Sequence, residues 1–136
     1  PQYPPVKGYH WFMGDGMLHA VRFSASQASF INRFVQTEAY LYEKKLGRAY
    51  FYSIFTDMIG IPSVISMMYH SARTSYLGGA PNPWKKRTAN TALVYHDKRL
   101  MALVEGDVPT WVMAQTLDTI GPYNYNNKLT HAFTAH

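Results

Sequence analysis

Short alternating apolar runs, punctuated by turn residues, constrain this chain more than any other feature. "MLHAVRF" and "ASFINRFVQTE" are joined by Ser24-Ala25-Ser26-Gln27, and "TALVYH" meets "RLMALVE" across Asp97-Lys98. Period-two alternation bounded by such polar residues predicts antiparallel hairpins, because each strand turns one face to a core and the other to water. In the first run Met17, His19, Val21 and Phe23 share a face. A further strand pair is predicted in "PTWVMAQTLDTIG" and a last strand in "LTHAFTAH". In "YHWFMGDGMLHAVRF" two apolar runs flank Gly14-Asp15-Gly16, which predicts a hairpin there, with glycine supplying a positive φ and Asp15 serving the turn. The expected class is mainly β: a sandwich, a barrel or a propeller.

One stretch breaks this pattern. From about residue 43 to 72 the alternation gives way to "SIFTDMIGIPSVISMMYH", an apolar run interrupted by Asp57, Gly60 and Pro62. Proline lacks a backbone donor and clashes with the preceding turn, so Pro62 predicts two short helices rather than one long one. The run falls short of the roughly 20 uninterrupted apolar residues that a membrane span needs. It is expected to pack on the domain core, or else to dip into one membrane leaflet through about residues 53–72. Residues 1–9, with Pro1, Pro4, Pro5 and Gly8, read as an extended leading segment.

Composition narrows the function classes. With 136 residues, 47% of them hydrophobic and 15% charged, the chain is expected to form one folded domain, 1–136, with the helical insertion inside it. The net charge of +5 is scattered; its only run, Lys85-Lys86-Arg87 beside Pro81 and Pro83, reads as a solvated loop. No nucleic-acid partner is expected from so unclustered a charge. Cysteine is absent, which excludes disulfides, zinc–thiolate sites and thiol nucleophiles, so any metal must be held by histidines and carboxylates. No phosphate loop, dinucleotide fingerprint or Ser-His-Asp ordering occurs. A first residue other than Met and a last residue inside an apparent strand predict an internal piece of a longer protein.

Six histidines stand at 10, 19, 70, 96, 131 and 136. None forms a local metal motif. His131 and His136 cannot chelate one ion as neighbours: an odd separation puts them on opposite faces of a strand, and about 140° apart on a helix. His136 shares its strand face with Ala132 and Thr134, small residues that leave room before an imidazole, whereas His131 shares its face with Phe133. His136 is therefore the better ligand candidate. Glu105 ends "LMALVE" on the same face as Met101 and Leu103. A carboxylate on an apolar face needs a partner, and the free ring N–H of a metal-bound histidine is a common one.

Taken together, "YHWFMGDGMLHAVRF", "ANTALVYHDKRLMALVEGDVP" and "KLTHAFTAH" resemble the carotenoid cleavage oxygenase family, in the family's order. The family includes carotenoid dioxygenases, stilbene-cleaving enzymes and retinoid isomerases. The resemblance implies part of a seven-bladed β-propeller, capped by a helical dome, with Fe(II) on the axis held by four histidines. It matches His136 to the first iron ligand and Glu105 to the first of three supporting glutamates, which in the family serves a later ligand. Met13 departs from the aspartate often found before "GDG". The chemistry implied is cleavage by O₂ of a conjugated C=C bond in a lipophilic polyene, a carotenoid or apocarotenoid, giving two carbonyl products. A stilbene or phenylpropanoid substrate is the alternative within the family, and a non-catalytic β-rich lipid- or protein-binding module the alternative outside it. The compartment stays open between cytoplasm and plastid, with peripheral membrane contact through about residues 53–72 as part of the resemblance, and these residues alone, which hold one ligand of four, are expected to be inactive.

Overall fold

Two antiparallel sheets account for every strand. In the computed structural model, which describes residues 1–136, β1 (Met17–Phe23) pairs with β2 (Ala28–Phe34) in a register running from Met17↔Phe34 to Phe23↔Ala28. The Ser24 N–H donates to the Gln27 carbonyl at 2.8 Å and closes the expected turn. The second sheet has the order β3 (Ala92–His96), β4 (Arg99–Leu103), β5 (Thr110–Val112), β6 (Thr119–Pro122). Between β3 and β4 both Asp97 and Lys98 are left-handed, φ 50° and 60°, matching the right-handed twist of a two-residue hairpin. The chain is mainly β with two helices, and its sheets are open rather than closed on themselves.

The chain divides into two compact units: Pro1–Gly14 with Glu38–Arg87, and Asp15–Thr37 with Thr88–His136. In the second unit β4 is covered on both faces because successive residues point opposite ways. Ala102 and Val112 join Leu18, Val35 and Ala89, so the β1–β2 hairpin lies on one side. Met101 and Leu103 join Ala135, with Phe133 and Tyr125 packed against them, so the last residues of the chain lie on the other.

Gly14-Asp15-Gly16 forms no hairpin. Trp11–Met13 is a single 3-10 turn, and neither glycine has a positive φ. Gly16 is instead a point of close approach: its N–H donates to the Thr88 carbonyl at 2.9 Å, and an added Cβ would lie 2.2 Å from the Ala89 carbonyl oxygen. Gly16→Ala is expected to lower stability by about 1–3 kcal/mol through this overlap. An unchanged denaturation midpoint would show that the two backbones separate freely.

The first unit holds α1 (Glu38–Leu46) and α2 (Gly60–Leu77). Pro62 does not break the helical stretch; it is the third residue of α2, where backbone N–H groups have no intrahelical acceptor and a missing donor costs nothing. Asp57, 4% exposed, ties this unit together by accepting from the Gly8 and Ser53 N–H groups at 3.2 and 2.8 Å. Glu43 is 2% exposed in the middle of α1. Its Oε1 accepts from the N–H groups of Tyr50 and Phe51, and its Oε2 lies 3.1 Å from Lys86 Nζ. The basic run is thus not wholly solvated: Lys85 is exposed, while the side chain of Lys86 is buried to 5% because it neutralises Glu43. Burial raises the Tyr50 phenol above its ordinary range, with Tyr42 adding to the effect. Its neutral form is the folded one, so its contribution is complete below pH ~10 and lost as pH rises further.

The orientation of α2 inverts the usual order. Ile61, Ile65, Met68 and Tyr76 share one stripe and are 61–87% exposed. The half-buried side carries Met67 among mostly polar residues, Ser63, Ser66, His70, Arg73 and Thr74, with Ser66 Oγ accepting from the Trp84 indole at 3.3 Å. The expectation that this segment packs its apolar residues into the core is not met. No helix is long and apolar enough to cross a membrane.

Candidate metal centre

Glu105 lies just past the end of β4, on the side that Met101 and Leu103 turn toward the C-terminal residues. The chain turns away immediately afterwards at Gly106, whose φ of +87° a side chain would strain. Two residues on, the Asp107 carbonyl accepts from the Phe133 N–H at 2.9 Å. That bond, with Phe133 and Ala135 packed on Met101 and Leu103, lays the last residues beside the end of β4. His136 is delivered to Glu105: its Nδ1 is 2.5 Å from Oε1.

The pair is open to solvent, with 76% of the His136 side chain and 59% of the Glu105 side chain exposed. Thr134 Oγ1 donates to the His136 carbonyl at 2.8 Å and accepts from its N–H at 3.3 Å, fixing the backbone that carries the ring. With Nδ1 turned to the carboxylate, Nε2 is the nitrogen left to a metal. A carboxylate that accepts from one ring nitrogen sets the tautomer and makes the other a better donor. This donor set fits one corner of a histidine site and no more, since no three His, Asp or Glu side chains converge. His131 is elsewhere, its Nδ1 2.8 Å from the Ala132 carbonyl.

One sequence expectation changes here. The final strand does not form, because residues 129–136 meet side chains and a turn carbonyl rather than a sheet edge. Glu105, matched by resemblance to a support for a later ligand, lies in this chain against His136 itself. The buried Glu43–Lys86 pair was missed altogether. The one available signal was a carboxylate amid the apolar and aromatic residues of "AYLYEKKL".

The chain belongs to the family described as retinal pigment epithelial membrane protein, RPE65, whose model matches residues 1–136; this is the carotenoid cleavage oxygenase family. Carotenoid 9,10(9',10')-cleavage dioxygenase 1 of Phaseolus vulgaris is 39% identical over the whole chain, which spans 25% of that protein. Among solved structures, Pseudomonas brassicacearum lignostilbene dioxygenase superposes with a TM-score of 0.72 at 31% identity, covering all of this chain and 25% of that one. The cobalt-substituted ACO of Synechocystis gives 0.69 at 28% identity, covering 93% and 24%. The chain therefore spans about a quarter of the length of the relatives it matches.

Proposed function

We propose that these residues are the N-terminal portion of a single oxygenase domain that cleaves a conjugated C=C bond of a carotenoid or apocarotenoid with O₂, giving carbonyl products. The observation that carries this reading is the family match across residues 1–136, together with a relative named for carotenoid cleavage over the same span. A seven-bladed propeller, of which β3–β6 would be one four-stranded blade, is part of the proposal. His136 would give its Nε2 to Fe(II), and Glu105 would hold the ring through Nδ1. The other ligands would lie in the three quarters of the relatives beyond this match. Iron, when bound, supplies the chemistry with O₂; neutral imidazoles leave it its full positive charge. This chain's share of the work is to orient one ligand, and its helical segment about 53–72 would make peripheral contact with the membrane from which a lipophilic substrate is drawn.

A stilbene or phenylpropanoid substrate is the second reading, supported by the superposition on a lignostilbene dioxygenase. Product analysis of the full-length protein on β-carotene, an apocarotenal and resveratrol separates the two. His136→Ala is expected to remove stoichiometric iron, read by metal analysis, and cleavage with it. Retention of both by the variant would sink the ligand assignment.

A further inference from the structure

The turn that leads into the last segment holds a bulky residue in a conformation that L side chains rarely adopt. Tyr125, Asn126 and Asn127 are consecutive left-handed residues, with φ 54°, 57° and 65°. Asparagine tolerates this region because its short polar side chain bonds locally, but a tyrosine there carries strain, and so does a run of three. The surroundings enforce it. Asn124 Oδ1 accepts from the Asn127 N–H at 3.0 Å, Asn124 Nδ2 donates to Asn127 Oδ1 at 2.7 Å, and the Asn124 carbonyl accepts from the Leu129 N–H at 3.0 Å. On the other side of the turn the Tyr123 N–H donates to the Pro109 carbonyl at 2.8 Å. Strain held in this way points to a task for the side chain that bears it.

What the ring touches defines that task. Tyr125 stacks on Phe133, with ring centroids 6.3 Å apart and planes 21° from parallel. Its hydroxyl reaches Met101 Sδ at 3.8 Å, and Tyr123 backs its ring at 4.7 Å. Tyr123 is backed in turn by the Arg99 guanidinium, 4.7 Å from its ring centroid. Phe133 is thereby gripped twice, at its N–H by the Asp107 carbonyl and at its ring by Tyr125. The hydrogen bond alone leaves the tail free to pivot about residue 133; the stacked ring removes that freedom. From this arrangement we infer that Tyr125 is a positioning residue, whose flat ring sets the orientation of residues 133–136 and so brings the His136 imidazole to Glu105. Glycine would suit the backbone better, but it would leave Phe133 without its stacking partner. The inference rests on the ligand role proposed for His136 and adds a residue outside the metal pair that governs it.

The test uses the full-length protein loaded with iron, and the same protein loaded with Co(II), whose visible spectrum reports ligand geometry. Tyr125→Leu keeps apolar bulk and removes the flat ring. Its iron is expected to pass to a chelator about ten-fold faster than in the wild type, with a shifted Co(II) spectrum. Exchange of the Phe133 amide should quicken in metal-free Tyr125→Leu as well. Tyr125→Phe, which keeps the ring, should show wild-type release and a wild-type spectrum. Val112→Ala is the control for stability alone, since Val112 is fully buried in the cluster on the other face of β4. It should lower the melting temperature and leave iron release unchanged. Wild-type release and spectrum in Tyr125→Leu would overturn the inference, as would equal acceleration by Tyr125→Phe or by Val112→Ala. Those outcomes leave the ligand reading intact. A wild-type protein that holds no stoichiometric iron, or a His136→Ala variant that keeps it, removes that reading and this inference with it.

Discussion

Replacing Glu43 by alanine is expected to destabilise the protein by about 3–5 kcal/mol, measured by chemical denaturation. The carboxylate is 2% exposed and serves three donors at once: the N–H groups of Tyr50 and Phe51, and the ammonium of Lys86. Alanine removes the carboxylate 3.1 Å from an ammonium whose side chain is only 5% exposed and takes the acceptor from two backbone N–H groups, and the loss of these contacts in a buried setting is the source of the effect. Two further variants distinguish this cause from loss of packing. Glu43→Gln retains an acceptor for the two N–H groups but removes the charge that faces Lys86, so it should remain clearly destabilised. Adding Lys86→Met to it should recover a large part of the loss. If the double variant is no better than Glu43→Gln, the pair's energetics lie elsewhere.

Met101→Ala is expected to lower stability by about 2–5 kcal/mol, the range for emptying a fully packed methionine site. Met101 is 0% exposed, and its sulfur lies 3.8 Å from the Tyr125 hydroxyl in the cluster that carries Ala135. Because that cluster seats the C-terminal residues, the same substitution should also loosen His136, read as faster exchange of the Phe133 amide that bonds Asp107. Met101→Leu, which conserves volume, should cost less than ~1.5 kcal/mol and leave that amide protected.

Local pattern made the hairpins legible. The runs around Ser24–Gln27 and Asp97–Lys98 fold as their alternation and turn residues require, and β5 and all but the last residue of β6 fall within the predicted strand pair. Misread elements depended on partners distant in the sequence. Gly16 carries the same signal whether it turns the chain or lets Ala89 approach, and only the fold separates the two. Pro62 has the same chemistry in the first turn of a helix as in its middle, so its meaning depended on where α2 begins. Lys86 looked solvated because its counter-charge lies 43 positions away. At the candidate site, strand parity singled out His136 and placed Glu105 beside Met101 and Leu103. That the two would meet depended on the seating of Phe133 and Ala135, which no local spacing encodes.

That seating imposes a rule on the length of the tail. Phe133 and Ala135 turn inward while Thr134 and His136 turn outward, so the histidine's side of the chain is decided by counting from the anchored residues. Inserting one residue between 135 and 136 would turn the imidazole inward, away from Glu105. Inserting two would restore its side but carry it roughly 6–7 Å further along an extended chain. The position of this histidine is held as a distance from a packed alanine, with the Thr134 hydroxyl fixing its backbone.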